Sequence, residues 1–325
     1  MQFIDLKTRH ELIRDEVGER IRQVMDHGQF ILGPEINELE EKLARYVGTK
    51  HCVTVSSGTD SLLIALMALG IGPGDEVITV PYTWISSAEV IALLGAKTVF
   101  VDIRPDTFNM DESLLEAVLT PKTKAIIPVS IYGQTPYMDA INQIANSHGI
   151  PVIEDAAQSF GATYKGKKSC NLSSIGSTSF FPSKPLGCYG DAGALFTDED
   201  ELAERFRWIR VHGQERKHYH PILGLNGRMD TIQAAILLAV LKVFPREVSK
   251  RIEIGQYYSN ALDGVEGLRI PEVPNENSSV YAQYTILHPE RSMIQAYLKE
   301  KGLPSVSYYS VPLHLQRVFS GLGYR

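Results

Sequence analysis

The chain has 325 residues and a formal net charge of −6, an acidic balance that excludes a general nucleic-acid or membrane-surface binder. Hydrophobic residues make up 44% of it, enough for a sizeable core, and the length suits two domains of unequal size. Three cysteines, Cys52, Cys170 and Cys188, show no C-x-x-C spacing, so neither a disulfide framework nor a zinc site is expected, and a reducing cytoplasm is. Charges from Asp5 to Glu16 leave no signal-peptide core, and the longest clear apolar run, 234–241, is too short to span a bilayer.

Residues 1–29 read as an arm and an amphipathic helix, with Leu12, Val17, Ile21 and Val24 at helical spacing. Gly28 and Gly33 bracket a turn, and a helix follows over 36–47 with Leu39, Leu43 and Val47 on one face. The stretch 53–67, VTVSSGTDSLLIALM, is a strand that ends at Val55, then a helix opened by Ser56, Ser57, Gly58, Thr59 and Asp60. Free backbone N–H groups at such a start make a phosphate site; plain N-capping by Ser57 or Thr59 is the simpler alternative. Gly70, Gly72 and Gly74 leave a helix and enter a strand, the reverse of a dinucleotide-binding turn. A strand over 77–80 ends at Pro81, Tyr82, Thr83 and Trp84, before a helix over 86–94. Trp84 is placed either to stack on a planar ring or to fill the core. Strands at 98–101, 125–130 and 152–153 alternate with helices at 112–119 and 138–147, the pattern of a mostly parallel sheet covered on both faces. Tyr132, Gly133 and Gln134 are expected on the same sheet edge as Asp155.

Residues 151–160, PVIEDAAQSF, place Glu154, Asp155 and Gln158 at the end of a buried strand, where open α/β sheets bind ligands. Residues 177–193, STSFFPSKPLGCYGDAG, frame a single lysine, Lys184, among aromatic and small residues. Poor solvation lowers a lysine pKa, and a neutral lysine can form a Schiff base; read alone, the same stretch suits a surface loop. A pyridoxal cofactor needs a lysine, an anion against its ring nitrogen and donors around its phosphate. Lys184, Asp155 and the turn at 56–60 supply the three.

In 212–220, HGQERKHYH, the histidines His212, His218 and His220 have no second ligand cluster, and a solvated loop is expected there, not a metal site. Asp230 caps a helix whose face of Ile232, Ala235, Ile236, Ala239, Val240 and Val243 is core or subunit interface. Pro245 is expected to stop that helix and the charged run 246–251 to mark a domain boundary. A small domain follows, with a helix over 252–262, a strand over 282–287, a helix over 292–301 and an extended VSYYSVPLH.

From FILGPEINELE at 30–40 to PLHLQ at 312–316, these stretches resemble the sugar-nucleotide aminotransferases of the DegT/StrS type. The resemblance implies an α/β chain of the aspartate-aminotransferase architecture, pyridoxal-phosphate fold type I. An N-terminal arm and helix (1–29) would precede a large domain (30–245) with a mostly parallel mixed sheet between helices, and a smaller C-terminal α/β domain (246–325) would follow. Family members continue beyond this point with a last strand and helix, so an incomplete small domain is expected. SFFPSKPLGCYGD and PVIEDAAQSFGA are similar to the branch that aminates C3 of a UDP-linked 3-oxo-N-acetylglucosaminuronate in bacterial surface-polysaccharide synthesis.

The residue roles follow from the same likeness. Lys184 and Asp155 are catalytic. Ser57, Gly58, Thr59 and Ser179 hold the phosphate of pyridoxal 5'-phosphate, Trp84 lies against its ring, and Gln158 positions the ring hydroxyl or Asp155. Glutamate is the donor and leaves as 2-oxoglutarate. Active sites are shared across a homodimer, with Asn226 reaching the partner's phosphate. Tyr82, Arg228, Tyr308 and Tyr309 are the substrate-side residues; Arg228 suits an anionic sugar, and the Tyr308–Tyr309 pair stands where the family often has His–Tyr. Four alternatives remain. One is an aminotransferase acting at C3 or C4 of another dTDP- or UDP-linked keto sugar. Another is a related dehydratase, which carries histidine where Lys184 stands. The others are a pyridoxal-phosphate-binding regulator and a nicotinamide dehydrogenase, the last lacking G-x-G-x-x-G after the first strand.

Overall fold

The computed structural model describes residues 3–324; Met1 and Gln2 of the expected arm, and Arg325, lie outside them. Helix α1 (Leu6–His27) starts where the Asp5 carboxylate accepts the Thr8 amide, and it buries Ile13, Val17 and Val24. Leu12, expected on that face, is exposed, because the buried stripe runs one residue later. Helix α2 (Pro34–Val47) has proline at its first position and ends at Gly48, whose φ of 89° suits glycine.

The alternation then runs β1 (His51–Val55), α3 (Gly58–Ala68), β2 (Glu76–Thr79), α4 (Ser86–Leu93) and β3 (Lys97–Phe100). A short 3-10 turn and the single-turn α5 (Leu115–Val118) replace the longer helix expected at 112–119. Next come β4 (Thr123–Ile127), α6 (Met138–Ser147) and β5 (Ile153–Asp155). A small hairpin, β6 (Thr163–Tyr164) with β7 (Lys167–Lys168), precedes β8 (Ile175–Ser179) and β9 (Gly193–Thr197). That hairpin and helix α7 (Asp200–Ile209) have no counterpart in the sequence reading.

Strands pair in the orders β3-β2-β4 and β5-β8-β9-β1. Parallel bridges between Ile126 and Val152 and between Val129 and Asp155 join the two sets. In the joined sheet, among the described residues, only β9 runs against its neighbours, β8 and β1. The ends of β1, β2, β4, β5 and β8 therefore share one rim, and the chain leaves each of them there. Side chains alternate across the sheet. Cys52, Ala194 and Phe196 join the core under α1, α2 and helix α8 (Thr231–Leu262), while Val53, Val55 and Leu195 pack with α3 and α7.

Pro245 does not stop α8, which continues through it to Leu262. The proline removes one ladder bond, but burial of Leu237, Leu238 and Phe244 before it, and of Val248 after it, holds both halves in line. Arg9 on α1 also clamps Glu247 through two hydrogen bonds, of 3.0 and 2.7 Å. The expected linker at 246–251 is therefore helical, and a boundary at 245 falls inside α8. Over 282–287 the expected strand is reduced, among the described residues, to one antiparallel bridge between Arg269 and Leu287. Helix α9 (Arg291–Glu300) follows as expected, and the VSYYSVPLH stretch is irregular up to a 3-10 turn at Leu313–Leu315.

Candidate active site

Five segments meet at the rim, and the deepest is the end of β5. Successive residues of a strand face opposite ways. Glu154 turns away from the rim and accepts from Ser169 Oγ at 2.7 Å, Cys170 N at 2.8 Å and Ser130 Oγ at 3.2 Å. Burial pushes its carboxyl up to about 7 despite those donors. Asp155 is also buried, and it accepts from Ser87 Oγ at 2.8 Å and from the Ala157 amide at 3.2 Å. Burial raises its pKa, and those two donors and then the Lys184 charge pull it back.

Lys184 lies in the turn between β8 and β9, pinned by its own N–H to Phe181 O at 2.8 Å. Pro185 O, one residue on, accepts from Arg9 Nη2 at 2.9 Å. Burial lowers the proton affinity of the Lys184 amine, with Asp155 as the opposing charge. An amine whose proton affinity is lowered, near a buried carboxylate, is suited to add to a carbonyl carbon and to carry a proton.

The start of α3 forms a cup. Ser57 Oγ accepts the Asp60 amide at 3.0 Å, and Ser57 O accepts the Ser61 amide. Ser57 is thus an N-cap, as the plainer alternative had it, and the first-turn amides of Gly58 and Thr59 have no acceptor within the helix. A Cβ on Gly58 would lie 2.5 Å from Ser179 Cβ, so only glycine lets the end of β8 close one side of the cup. Thr59 Oγ1 meets Ser86 Oγ at 2.8 Å, and Ser56 holds the Asp60 carboxylate.

Trp84 follows β2 and is 62% exposed, so it is not a core aromatic and its ring is free to cover a ligand. Gln158 Oε1 accepts the Tyr132 amide at 2.9 Å, and its Nε2 donates to Tyr309 Oη at 3.0 Å. Tyr82 and Tyr132 meet hydroxyl to hydroxyl at 2.7 Å, and both reach Tyr308 O. The C-terminal segment is thus tied to the site floor. Burial pushes the Tyr309 phenol up to about 12, so it is a neutral donor or acceptor there.

The 226–228 turn is held by Gly227 O, which accepts the Ser56 amide at 2.9 Å. Asn226 is exposed, and Arg228 Nε is buried with no hydrogen-bond partner among the described residues. His212, His218 and His220 are exposed on the preceding loop. Sequence reasoning missed Ser87 and Arg9. The only cue to Ser87 was a pair of hydroxyls opening an otherwise apolar helix.

The donor set fits a phosphorylated pyridine aldehyde. A desolvated amine stands by a buried anion, free helix-start amides wait for a phosphate, and an open aromatic face borders the cup.

Residues 11–325 match the description of the DegT/DnrJ/EryC1/StrS aminotransferase family. The chain is 55% identical over 316 residues to the UDP-2-acetamido-2-deoxy-3-oxo-D-glucuronate aminotransferase of Pseudomonas aeruginosa, covering 97% of this chain and 88% of that one. It is 46% identical over 325 residues to a Geobacillus stearothermophilus protein named pleiotropic regulatory protein, covering 99% and 87% of the two. A crystal structure of a DegT/DnrJ/EryC1/StrS aminotransferase from Brucella abortus superposes with a TM-score of 0.96 at 41% identity, covering 98% of this chain and 87% of that one. The chain therefore belongs to the DegT/DnrJ/EryC1/StrS aminotransferases, pyridoxal-phosphate-dependent enzymes of fold type I.

Proposed function

We propose that this aminotransferase moves an amino group from glutamate to C3 of UDP-2-acetamido-2-deoxy-3-oxo-glucuronate, in the cytoplasm, for a surface polysaccharide such as O-antigen. The observation that carries the reading is the Lys184–Asp155 pair at the sheet rim, in a chain 55% identical to an aminotransferase named for that sugar. Among the described residues no helix is long and apolar enough to cross a membrane.

When bound, pyridoxal phosphate supplies the carrier for the amino group and an electron sink. The amides of Gly58 and Thr59, with the hydroxyls of Ser57 and Ser179, would hold its phosphate at the α3 start. Asp155 would hold a proton on the ring nitrogen, and Trp84 would cover one ring face. Gln158, braced by Tyr132 and Tyr309, would fix the ring edge. Lys184 Nζ takes the proton from the reacting carbon and returns it on the other side of the exchange. Burial lowers the proton affinity of that amine, which favours the role.

Arg228, with an orphaned buried Nε, is assigned to the sugar carboxylate, and Tyr82, Tyr308 and Tyr309 to the sugar side. The exposed Asn226 would reach the cofactor phosphate of a partner subunit; the α8 face of Ala235, Ile236, Ala239 and Val240, expected to be core or subunit interface, is buried within this chain and so belongs to the core. The same reading treats 1–29, 30–245 and 246–325 as arm, large domain and small domain, with α8 running through the last junction.

Release of 2-oxoglutarate from glutamate, measured against a panel of keto sugar nucleotides, tests the assignment. The UDP-linked 3-oxo uronate should turn over best. Equal turnover of a 4-oxo sugar without the carboxylate would overturn it. The relative named pleiotropic regulatory protein favours a second reading, cofactor binding without turnover; the same assay decides between them.

A further inference from the structure

Ser87 is fully buried, and its Oγ donates to Asp155 Oδ2 at 2.8 Å. The other carboxylate oxygen, Oδ1, takes the Ala157 amide at 3.2 Å. Ser87 is the second residue of α4, so the carboxylate also meets the positive end of that helix. The residue before it ties α4 to the phosphate cup: Ser86 Oγ lies 2.8 Å from Thr59 Oγ1 and 3.2 Å from Glu89 Oε1. Ser87 therefore stands on a start that cannot slide without moving α3.

We propose that Ser87 is a positioning residue of the reaction: its hydroxyl holds the Asp155 carboxylate ionised and aimed at the cofactor's ring nitrogen. The proposal rests on the role given above to Asp155.

The groups that face Asp155 leave this task to Ser87. Lys184, from the β8–β9 turn, favours the charge, but its own ammonium is disfavoured by burial, and its amine serves the reacting carbonyl. Tyr309, from the C-terminal segment, stays neutral. Glu154 and the buried Cys170, on the far side of the strand, are acidic groups that would oppose the charge if ionised. Of the pulls that keep Asp155 ionised against burial, the Ser87 hydroxyl is the largest and the Ala157 amide the next. A carboxylate only accepts hydrogen bonds, so a donor fixed at 2.8 Å selects the ionised form and one rotamer.

Removing the donor raises the Asp155 pKa, so on acidification its charge is lost at a higher pH. Ser87→Ala, Ser87→Thr and Asp155→Asn holoenzymes would be compared for kcat and KM across the acid and neutral range. Affinity for pyridoxal phosphate would be read by fluorescence, and Tm would be recorded. Ser87→Ala should move the acid limb of kcat up by roughly one pH unit and weaken the cofactor roughly tenfold. KM for the sugar nucleotide should stay close to wild type, and Ser87→Thr should restore both readouts. If Ser87→Ala does not fold, Ser87→Cys, near in size and a weak donor, must move the limb the same way. A lower Tm with the acid limb and cofactor affinity unchanged would make Ser87 a packing residue and overturn the proposal. Asp155→Asn separates the two ideas. Wild-type behaviour there would overturn the role of Asp155 and this proposal with it. An inactive Asp155→Asn beside an unmoved Ser87→Ala would overturn this proposal alone.

Discussion

Arg9 of the first helix donates at 2.9 Å to the carbonyl of Pro185, the residue after Lys184 and 176 positions along the chain from Arg9. The same guanidinium forks onto Glu247 of α8 at 3.0 and 2.7 Å. The turn that carries the reactive amine is therefore braced from outside the sheet. Hydrogen bonds of a charged donor contribute about 1.5–3 kcal/mol each, and this one is only 11% exposed, so solvent screens it little. Arg9→Ala should cost about 2 kcal/mol of stability and lower kcat several-fold. Urea titration gives the first figure, and hydrogen exchange of peptide 182–190 shows whether the turn has loosened. Unchanged exchange there would mean that Arg9 does not brace Lys184.

Lys184→Ala should abolish turnover yet still bind pyridoxamine phosphate, since the cup and ring contacts remain. Borohydride treatment of the wild type should attach the cofactor to the peptide with Lys184. Attachment at Lys165, Lys167 or Lys168 would move the catalytic assignment. Mixed with Arg228→Ala, the inactive Lys184→Ala should regain activity toward about a quarter of wild type if sites are shared in dimers. No recovery, with subunit exchange shown separately, places Arg228 in its own subunit's site.

Glu154 links pH to stability. Its folded carboxyl is raised from 4.5 to about 7, so its contribution is fully present below about 4.5 and is lost as pH rises through about 7. Glu154→Gln keeps the shape without the charge. The variant should match wild type in acid and become relatively more stable by up to about 3 kcal/mol above neutrality. Denaturant midpoints across that pH range measure it. A difference that does not change with pH would mean the carboxyl titrates near its ordinary value.

The rim was readable in the sequence because a parallel sheet puts every strand end on one side. Once β1, β2, β5 and β8 were recognised, the residues at or just past their ends, Ser57 to Thr59, Trp84, Asp155 and the Ser179–Lys184 stretch, had to share one rim. The residues that hold them were not readable. Ser87 and Asp155 are 68 positions apart, and nothing in a serine marks it as facing a carboxylate across a helix–strand contact. Trp84 could not be settled by residue preference, because the same side chain fills cores and covers ligands. Pro245 was misread because a local rule about proline was set against packing on both sides, and packing won.

The unbroken α8 sets a condition for anyone building hybrids of this enzyme. A cut at 245, where composition changes, passes through the middle of a 32-residue helix about 48 Å long. Each residue inserted or lost at such a seam turns everything after it by about 100°. A graft of 246–324 one residue out of phase would swing Tyr308 and Tyr309 away from Gln158, Tyr82 and Tyr132. A sequence-identical graft in phase would keep them seated.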